Sequence, residues 1–229
     1  MIRHHPGDRP RSLAWIAWWA AAHAGLLLVL VTFRWDERLS ETLCAWTSSS
    51  ASSARLLETL TSWGNPWPVT IIAAGSACFA LFRRNVTAAV VLLVIPYAAT
   101  VSCNLIKGWA ERQRPSLDCA SIQADGFSFP SGHAVGVTTG FLLAALYFSS
   151  QTPRAVSALM LFLAGLSAEL VAWSRVFLGV HFSIDVLAGQ LLGAGWLALA
   201  ALVLHRQSVR RLQREARQAG SNSWDEPVS

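Results

Sequence analysis

Long apolar stretches limit how this chain can fold more than any other feature. A helix needs roughly 20 apolar residues to cross the hydrocarbon core of a bilayer. Six stretches approach that length, and they cover residues 13–33, 67–82, 86–106, 134–150, 155–173 and 184–204. Inside a bilayer every backbone polar group must find a partner within the protein, so such segments form helices. The sequence therefore predicts an all-α fold, a polytopic membrane helix bundle with about six transmembrane helices.

The composition points to the same environment. Charged residues make up only 14% of the 229 residues and the mean hydropathy is +0.41, whereas soluble domains carry about 25% charged residues. The net charge of +5 would also suit a nucleic-acid-binding protein. The arginines, however, stand at the ends of the apolar stretches rather than on one soluble surface. We therefore expect the lipid bilayer, and not nucleic acid, as the partner of this chain.

The basic residues are unequally divided between the two sets of connecting segments. With a cytoplasmic N-terminus, eleven of the 18 lysines and arginines fall on the cytoplasmic side, and three of the other seven belong to motifs described below. This bias predicts that both termini are cytoplasmic. The expected organisation is a cytoplasmic segment 1–12, a membrane domain of six helices 13–204, and a basic, polar cytoplasmic tail 205–229 that begins as a helical extension.

The first polar cluster follows the third apolar stretch. Lys107 and Arg114 are seven residues apart, about two helical turns, so we expect both on one face of a continued helix that Pro115 limits. Two fixed cations suit a dianionic phosphate, and an arginine can engage two of its oxygens at once. Taken alone, the pair fits contacts to lipid headgroups better than it fits a site.

The second cluster opens the fourth stretch. Ser131, Gly132 and His133 follow Pro130, directly before the apolar run. Ser131 is predicted to be a helix N-cap, and the first backbone N–H groups of that helix can point at an anion. Gly132 would let the backbone approach a phosphate closely, and His133 could donate a proton to a leaving oxygen. A capping segment with an interfacial histidine explains these residues equally well.

The third cluster lies between the last two stretches. His181 and Asp185 are four residues apart and hence on one face of a helix. The carboxylate can accept a hydrogen bond from one ring nitrogen and leave the other free as a nucleophile. An acidic residue at the start of a transmembrane helix is costly without a partner or a task, which favours a functional role. Arg175 offers a third cation just before this pair.

All three clusters lie on the same side of the membrane in the predicted topology, although consecutive loops alternate between sides. Phosphoryl transfer needs in-line positioning and stabilisation of charge on the equatorial oxygens, and three cations with two histidines can supply both. The sequence offers no carboxylate cluster and no Cys/His set at metal-ligand spacing. We therefore expect neither a metal nor another cofactor.

The clusters resemble the tripartite signature of the type 2 phosphatidic acid phosphatase family. That family also includes lipid phosphate phosphatases, undecaprenyl pyrophosphate phosphatases, glucose-6-phosphatase and the vanadium haloperoxidases. The resemblance covers residues 107–185 with no departure at a motif position, and it consists of Lys107-x6-Arg114-Pro115, Pro130-Ser131-Gly132-His133 and Ser174-Arg175-x5-His181-x3-Asp185.

The resemblance implies a role for each motif residue. His181 attacks phosphorus to form a phosphohistidine, and Asp185 orients His181. His133 protonates the leaving oxygen and then activates water. The phosphate oxygens are bound by the remaining motif residues, Lys107, Arg114, Ser131, Gly132 (through its backbone N–H) and Arg175.

The leading hypothesis is metal-independent hydrolysis of a membrane lipid phosphate at the non-cytoplasmic face. The candidate substrates are phosphatidate, phosphatidylglycerol phosphate, undecaprenyl pyrophosphate and a lipid A phosphate. In a bacterial cell the site would lie on the periplasmic side of the inner membrane. Transfer of the phosphoryl group to an alcohol remains an alternative, as does a non-catalytic lipid-phosphate binder or transporter. A haloperoxidase is disfavoured because those enzymes are soluble, and the oligomeric state stays open.

Several other residues leave alternatives open. Cys44 and Cys119 both fall in segments outside the cytoplasm, and they are either free thiols or a disulfide. Glu169 pairs with a cation of the site, lines the substrate entrance or reaches the membrane interface. His23 is interpreted as a hydrogen-bonding residue that faces the bundle.

The remaining polar residues of interest lie in two connecting segments. Arg112 and Glu111 match no motif position and are interpreted as solvated loop charges. The segment 34–66 is either a plain polar loop or contains a short interfacial helix around residues 54–62.

Overall fold

The computed structural model describes residues 11–33 and 35–222, and it is helical throughout apart from short connections and one longer loop. Among these residues eight helices follow one another: α1 Arg11–Phe33, α2 Asp36–Ser48, α3 Ala51–Ser62, α4 Pro66–Phe82, α5 Val86–Ala110, α6 Gly132–Ser149, α7 Arg154–Phe177 and α8 Ser183–Asn222. The six apolar stretches correspond to α1 and α4 to α8, so the all-α prediction is confirmed. Residues 1–10 of the predicted N-terminal segment and 223–229 of the predicted tail lie outside the described residues.

Five of the helices are individually long and apolar enough to cross a membrane, namely α1, α5, α6, α7 and α8. A sixth span arises only when α3 and α4 are counted together, because α4 has 17 residues and the two helices meet at a bend of 42°. The predicted number of about six spans is therefore confirmed as five or six. The bend between α3 and α4 becomes important at the site.

Helix α6 forms the centre of the bundle. It is buried over 72% of its most apolar window, against 11% for α1, and it packs against α4, α5, α7 and α8. The approach of α8 depends on Gly193, because a Cβ there would lie 2.7 Å from the Thr138 side chain of α6. Since α6 begins with the second motif, its central position brings that motif close to the helices that carry the other two.

The segment between α1 and α4 is helical rather than a polar loop. Of the two alternatives for this segment, the short helix around residues 54–62 is confirmed as α3, whereas α2 was not predicted. Helix α2 packs on α7 and α8, and α3 packs on α7. Helix α8 continues unbroken to Asn222, so the predicted helical extension of the tail is also confirmed.

Candidate active site

The first motif does not continue as a single helix. Helix α5 ends at Ala110, and Glu111 adopts the left-handed conformation with φ 46° that commonly ends helices. The expectation that Lys107 and Arg114 share one helix face is therefore wrong. Lys107 stays on the last turn of α5, where its Nζ donates to the carbonyl oxygen of Phe127 at 2.6 Å, and Arg114 enters the site from the loop.

The loop positions the Arg114 guanidinium beside His181. Arg114 Nη1 donates to the carbonyl oxygen of Val180 at 2.8 Å and lies 3.1 Å from His181 Nε2. Its Nε donates to the carbonyl oxygen of Gly126 at 3.0 Å. Burial lowers the pKa of Arg114 from its ordinary value, but a guanidinium stays charged at neutral pH. The first motif thus supplies a fixed cation to the third.

These contacts determine which nitrogen of His181 carries the proton. A guanidinium only donates, so the contact with Arg114 requires a lone pair on Nε2 and leaves the proton on Nδ1. Nδ1 lies 3.4 Å from Asp185 Oδ2, which also accepts the backbone N–H of Phe182 at 2.9 Å. Burial lowers the pKa of His181 to about 4, the charges of Arg114 and Arg175 add to this effect, and Asp185 opposes it. At neutral pH the ring is uncharged with Nε2 unprotonated, the form that a nucleophile needs.

A tight turn between α7 and α8 presents His181. Gly179 has φ +74°, and a Cβ at this position would lie 2.8 Å from Cys44 Sγ and 2.9 Å from Ala120 Cα. Both the backbone conformation and the close packing therefore require glycine. The turn holds His181 just before the first turn of α8, where Asp185 lies fully buried.

The second motif is joined to α8 by its backbone. The N–H of Ser131 donates to the carbonyl oxygen of Asp185 at 2.8 Å, and a Cβ at Gly189 would lie 2.6 Å from the carbonyl oxygen of Ser131. Ser131 occupies the predicted N-cap position of α6, but its side chain makes no cap hydrogen bond. Its buried Oγ has no partner among the described residues. At Gly132 a Cβ would meet no described atom within 4 Å, so there is open space beside the first turn of α6.

His133 and Arg175 both contact the connection between α3 and α4. His133 Nε2 lies 3.2 Å from Asn65 Oδ1, and Arg175 Nη1 donates to Thr61 Oγ1 at 3.1 Å. The Arg175 residue is only 6% exposed, and its Nε has no hydrogen-bond partner within the described part of the chain. No local sequence pattern marks Thr61 or Asn65, whose partners lie 114 and 68 residues away along the chain.

Arg112 is not a solvated loop charge, so that interpretation is wrong. Its Nη1 donates to Asp185 Oδ1 at 2.7 Å and its Nη2 donates to Asp36 Oδ2 at 2.8 Å. The guanidinium also lies 4.2 Å from the centroid of the Phe182 ring. Arg112 therefore links α2 to the carboxylate that orients His181. Glu111, by contrast, is exposed as expected.

Glu169 lies in a polar cluster away from the motif residues. Its carboxylate accepts from Trp19 Nε1 at 2.9 Å, Trp173 Nε1 at 3.2 Å and Gln190 Nε2 at 2.9 Å. His23 Nε2 lies 3.0 Å from the same carboxylate. His23 thus faces the bundle as predicted, and Glu169 pairs with this histidine rather than with a cation of the site.

The structure resolves the alternatives for the cysteines. Cys44 of α2 and Cys119 of the loop before α6 form a disulfide with Cα atoms 5.7 Å apart. Cys78 and Cys103 are free. Within the described ranges, no group of three or more His, Cys, Asp or Glu side chains is arranged to hold a metal ion, and the expected absence of a cofactor stays a prediction.

The fold and the site together define a helical membrane protein with a buried, oriented histidine surrounded by cations. Residues 85–208 match the family model of the PAP2 superfamily, and the chain belongs to that superfamily.

The chain is also similar to two curated relatives and two solved structures. The chain is 35% identical over 131 residues to phosphatidylglycerophosphatase B of Bacillus subtilis (strain 168), which covers 55% of this chain and 60% of the relative. It is 40% identical over 76 residues to an undecaprenyl-diphosphatase of Sulfolobus acidocaldarius, which covers 33% of this chain and 32% of the relative. The chain thus spans less than two thirds of the length of either relative in these matches.

The structural comparisons show the fold. The structure of a transmembrane PAP2-type phosphatidylglycerolphosphate phosphatase from Bacillus subtilis matches with a TM-score of 0.67 at 24% identity, over 87% of this chain and 97% of that one. LpxE from Aquifex aeolicus matches with a TM-score of 0.56 at 18% identity, over 72% of this chain and 94% of that one.

Proposed function

We propose that this protein hydrolyses a membrane lipid phosphate through a phosphohistidine formed on His181. The observation that carries this proposal is the geometry of His181, whose Nε2 lies 3.1 Å from Arg114 Nη1 while its Nδ1 faces Asp185 Oδ2. A simple anion-binding site needs cations but has no use for an imidazole oriented in this way. The names of the curated relatives, both phosphatases of lipid phosphates, support the same chemistry.

In the proposed reaction, His181 Nε2 attacks phosphorus while the Arg114 guanidinium transfers its hydrogen bond from Nε2 to a phosphate oxygen. Asp185 stabilises the positive charge that develops on the ring. His133 donates a proton to the leaving oxygen, and in the second step it takes a proton from the water that hydrolyses the phosphohistidine.

The phosphate oxygens would be bound by the remaining motif groups. Arg175 Nε and Ser131 Oγ are buried donors without partners among the described residues, and phosphate oxygens would satisfy both. Lys107 adds a cation, and there is open space beside Gly132 at the start of α6. The first N–H groups of that helix, including that of Gly132, would stabilise an anion bound there.

We further propose that the site faces away from the cytoplasm, with residues 13–204 as the membrane phosphatase domain and both termini in the cytoplasm. The unequal distribution of arginines supports this orientation. The Cys44–Cys119 disulfide supports it as well, since disulfides persist in oxidising compartments. The candidate substrates remain phosphatidate, phosphatidylglycerol phosphate, undecaprenyl pyrophosphate and a lipid A phosphate.

The test is phosphate release by the purified protein in detergent, with these four lipids and without an added acceptor alcohol. We expect His181→Ala to lower the rate at least about a thousandfold, because the covalent intermediate cannot form. His205→Ala is the matched control, since His205 lies 20 residues beyond Asp185 on α8, roughly 30 Å away along the helix. Activity should persist in EDTA.

Each of the other outcomes would indicate a different mechanism or function. Turnover by His181→Ala at the wild-type rate would contradict the phosphohistidine mechanism, and loss of activity in EDTA would contradict metal independence. Consumption of the lipid only when an acceptor alcohol is added, with no release of inorganic phosphate, would indicate a phosphotransferase. Saturable lipid binding with no release from any of the four lipids would indicate a binder or transporter.

A further inference from the structure

The connection between α3 and α4 faces the reaction site with three of its residues. This connection, residues 61–65, includes the last residues of α3 and the bend of 42° that leads into α4. Thr61 is 7% exposed and Gly64 is buried, whereas Trp63 is 53% exposed. The inner side of the connection thus packs against the site, and its outer side carries an aromatic ring of the kind found at membrane interfaces.

Asn65 determines the orientation of His133. Its Oδ1 lies 3.2 Å from His133 Nε2, and a carbonyl oxygen only accepts, so Nε2 carries a proton and Nδ1 is the nitrogen left for proton exchange. Asp185 does the same for His181 through the opposite ring nitrogen. Each of the two histidines therefore has its own partner that selects the reactive nitrogen.

Gly64 fixes the position of the same ring. A Cβ at residue 64 would lie 2.6 Å from His133 Cδ2 and 2.7 Å from Val171 Cγ1. No side chain fits at this position without displacing the imidazole and the Val171 side chain. The close approach of Gly64 and the hydrogen bond that Nε2 donates to Asn65 hold one edge of the ring, so the ring cannot turn to bring Nε2 to a substrate while both contacts persist.

Thr61 extends this support to a cation. Its Oγ1 accepts a hydrogen bond from Arg175 Nη1 at 3.1 Å, in a region where both residues are buried. Arg175 Nε makes no hydrogen bond to any described residue. Thr61 thus orients the guanidinium while leaving part of it available to a ligand.

We propose that the connection 61–65 is a positioning segment for phosphoryl transfer, in which Asn65 makes His133 Nδ1 the proton-transfer atom and Thr61 orients Arg175. The inference rests on the proposed function. A phosphate monoester that binds as its monoanion gives its proton to His133 Nδ1. As the bond from phosphorus to the leaving oxygen breaks and the bond from His181 Nε2 forms, that proton moves from Nδ1 to the leaving oxygen. Neutral His133, still donating Nε2–H to Asn65, then takes a proton from the attacking water as the N–P bond breaks.

The test compares two substrates that differ in their need for a general acid. n-Octyl phosphate has a poor alkoxide leaving group, whereas p-nitrophenyl phosphate releases a phenolate that needs no proton. We expect Asn65→Leu, which is similar in size but has no acceptor, to lower kcat/KM for octyl phosphate by about 10- to 100-fold. The value for p-nitrophenyl phosphate should change by less than about threefold, because kcat/KM covers the steps up to departure of the leaving group.

Two further variants separate orientation from folding. Asn65→Asp keeps an acceptor, so the ratio of the two kcat/KM values should stay near that of the wild type. Asn85→Leu removes a structural asparagine that caps α5 at the other end of α4, and it should leave the ratio unchanged even where stability falls.

The outcomes distinguish this inference from the proposed function. Equal losses for the two substrates in Asn65→Leu would show a structural role only and would overturn the inference. A change of the ratio in Asn85→Leu as large as that in Asn65→Leu would overturn it as well. If the wild-type protein releases phosphate from neither substrate and from none of the candidate lipids, the proposed function itself fails.

Discussion

At the scale of single residues, three different groups contact the buried carboxylate of Asp185. One oxygen accepts from Arg112, and the other accepts from the Phe182 N–H and faces His181. Asp36 holds the other end of the Arg112 guanidinium and also accepts the backbone N–H of Ile184 at 2.9 Å. The carboxylate that orients the proposed nucleophile is thus itself oriented by a residue outside the three motifs.

Arg112→Gln should therefore lower kcat by about 10- to 100-fold with little change in KM, because Asp185 loses its bridge to Asp36 and His181 loses its alignment. Arg112→Lys should rescue little, since an ammonium cannot donate to two carboxylates in the planar geometry of a guanidinium. Steady-state kinetics with the preferred lipid would measure both parameters. Arg55→Gln, on the exposed side of α3, is the control.

A different kinetic pattern would assign Arg112 a different task. If Arg112→Gln raised KM and left kcat unchanged, Arg112 would bind the phosphate directly instead of positioning Asp185. The double variant Asp36→Asn with Arg112→Gln should then behave additively, whereas a shared bridge predicts that the second change costs less than the first.

At the scale of helices, α1 is the least buried of the five long apolar helices. Most of its surface is exposed. In a bilayer a lipid tail is as apolar as a leucine, so the burial of apolar side chains contributes little to the packing of α1. The cluster around Glu169 joins α1 to α7 and α8 through Trp19, His23 and Gln190. A carbonyl oxygen only accepts, so His23 Nδ1 donates to Trp19, while Nε2 faces the Glu169 carboxylate at 3.0 Å.

We expect His23→Leu to lower the stability of the bundle by about 2 kcal/mol, because it leaves the Glu169 carboxylate without its histidine partner. Adding Glu169→Gln should recover part of the loss, since the amide carries no charge. Thermal unfolding in detergent would measure both variants. At temperatures below unfolding kcat/KM should remain at the wild-type value, and a loss of activity without a loss of stability would place the cluster in the reaction.

At the scale of the whole molecule, the disulfide connects parts of the chain that no helix joins. Cys44 and Cys119 are 75 residues apart, and the bridge packs against Gly179 in the turn that presents His181. Closing so long a loop removes freedom from the unfolded chain. The bridge therefore stabilises α2, the loop before α6 and the turn that presents His181 together.

Cys44→Ser should lower the free energy of unfolding by about 2–4 kcal/mol, and a reductant should have the same effect on the wild type. Denaturant unfolding with and without reductant would measure this loss. Cys78→Ser removes an exposed free thiol and should change nothing. If all four cysteines of the native protein in cells react with an alkylating reagent before reduction, the disulfide and the orientation that it supports are both wrong.

The membrane spans and the three motifs are features that the sequence determined by itself. Each span follows from a continuous apolar stretch, and its helical form follows from backbone hydrogen bonding within about four residues. The spacing of His181 and Asp185 within one helical turn is local in the same way. Such features depend on neighbouring residues alone, which is why the helices α4 to α7 begin and end within a few residues of the predicted positions. Helix α8 begins within one residue of its predicted position but continues beyond the apolar stretch to Asn222.

Only the tertiary structure decided which residues support the motif side chains. In the sequence Arg112 is interpreted as a loop charge, but α2 places Asp36 beside it. No sequence pattern assigns a role to Asn65, which the bend after α3 places against His133. These pairs join residues 68 or more positions apart through loops and bends whose paths are set by packing around α6. The sequence names the groups that carry out chemistry, whereas packing selects the partners that hold each group in its reactive orientation.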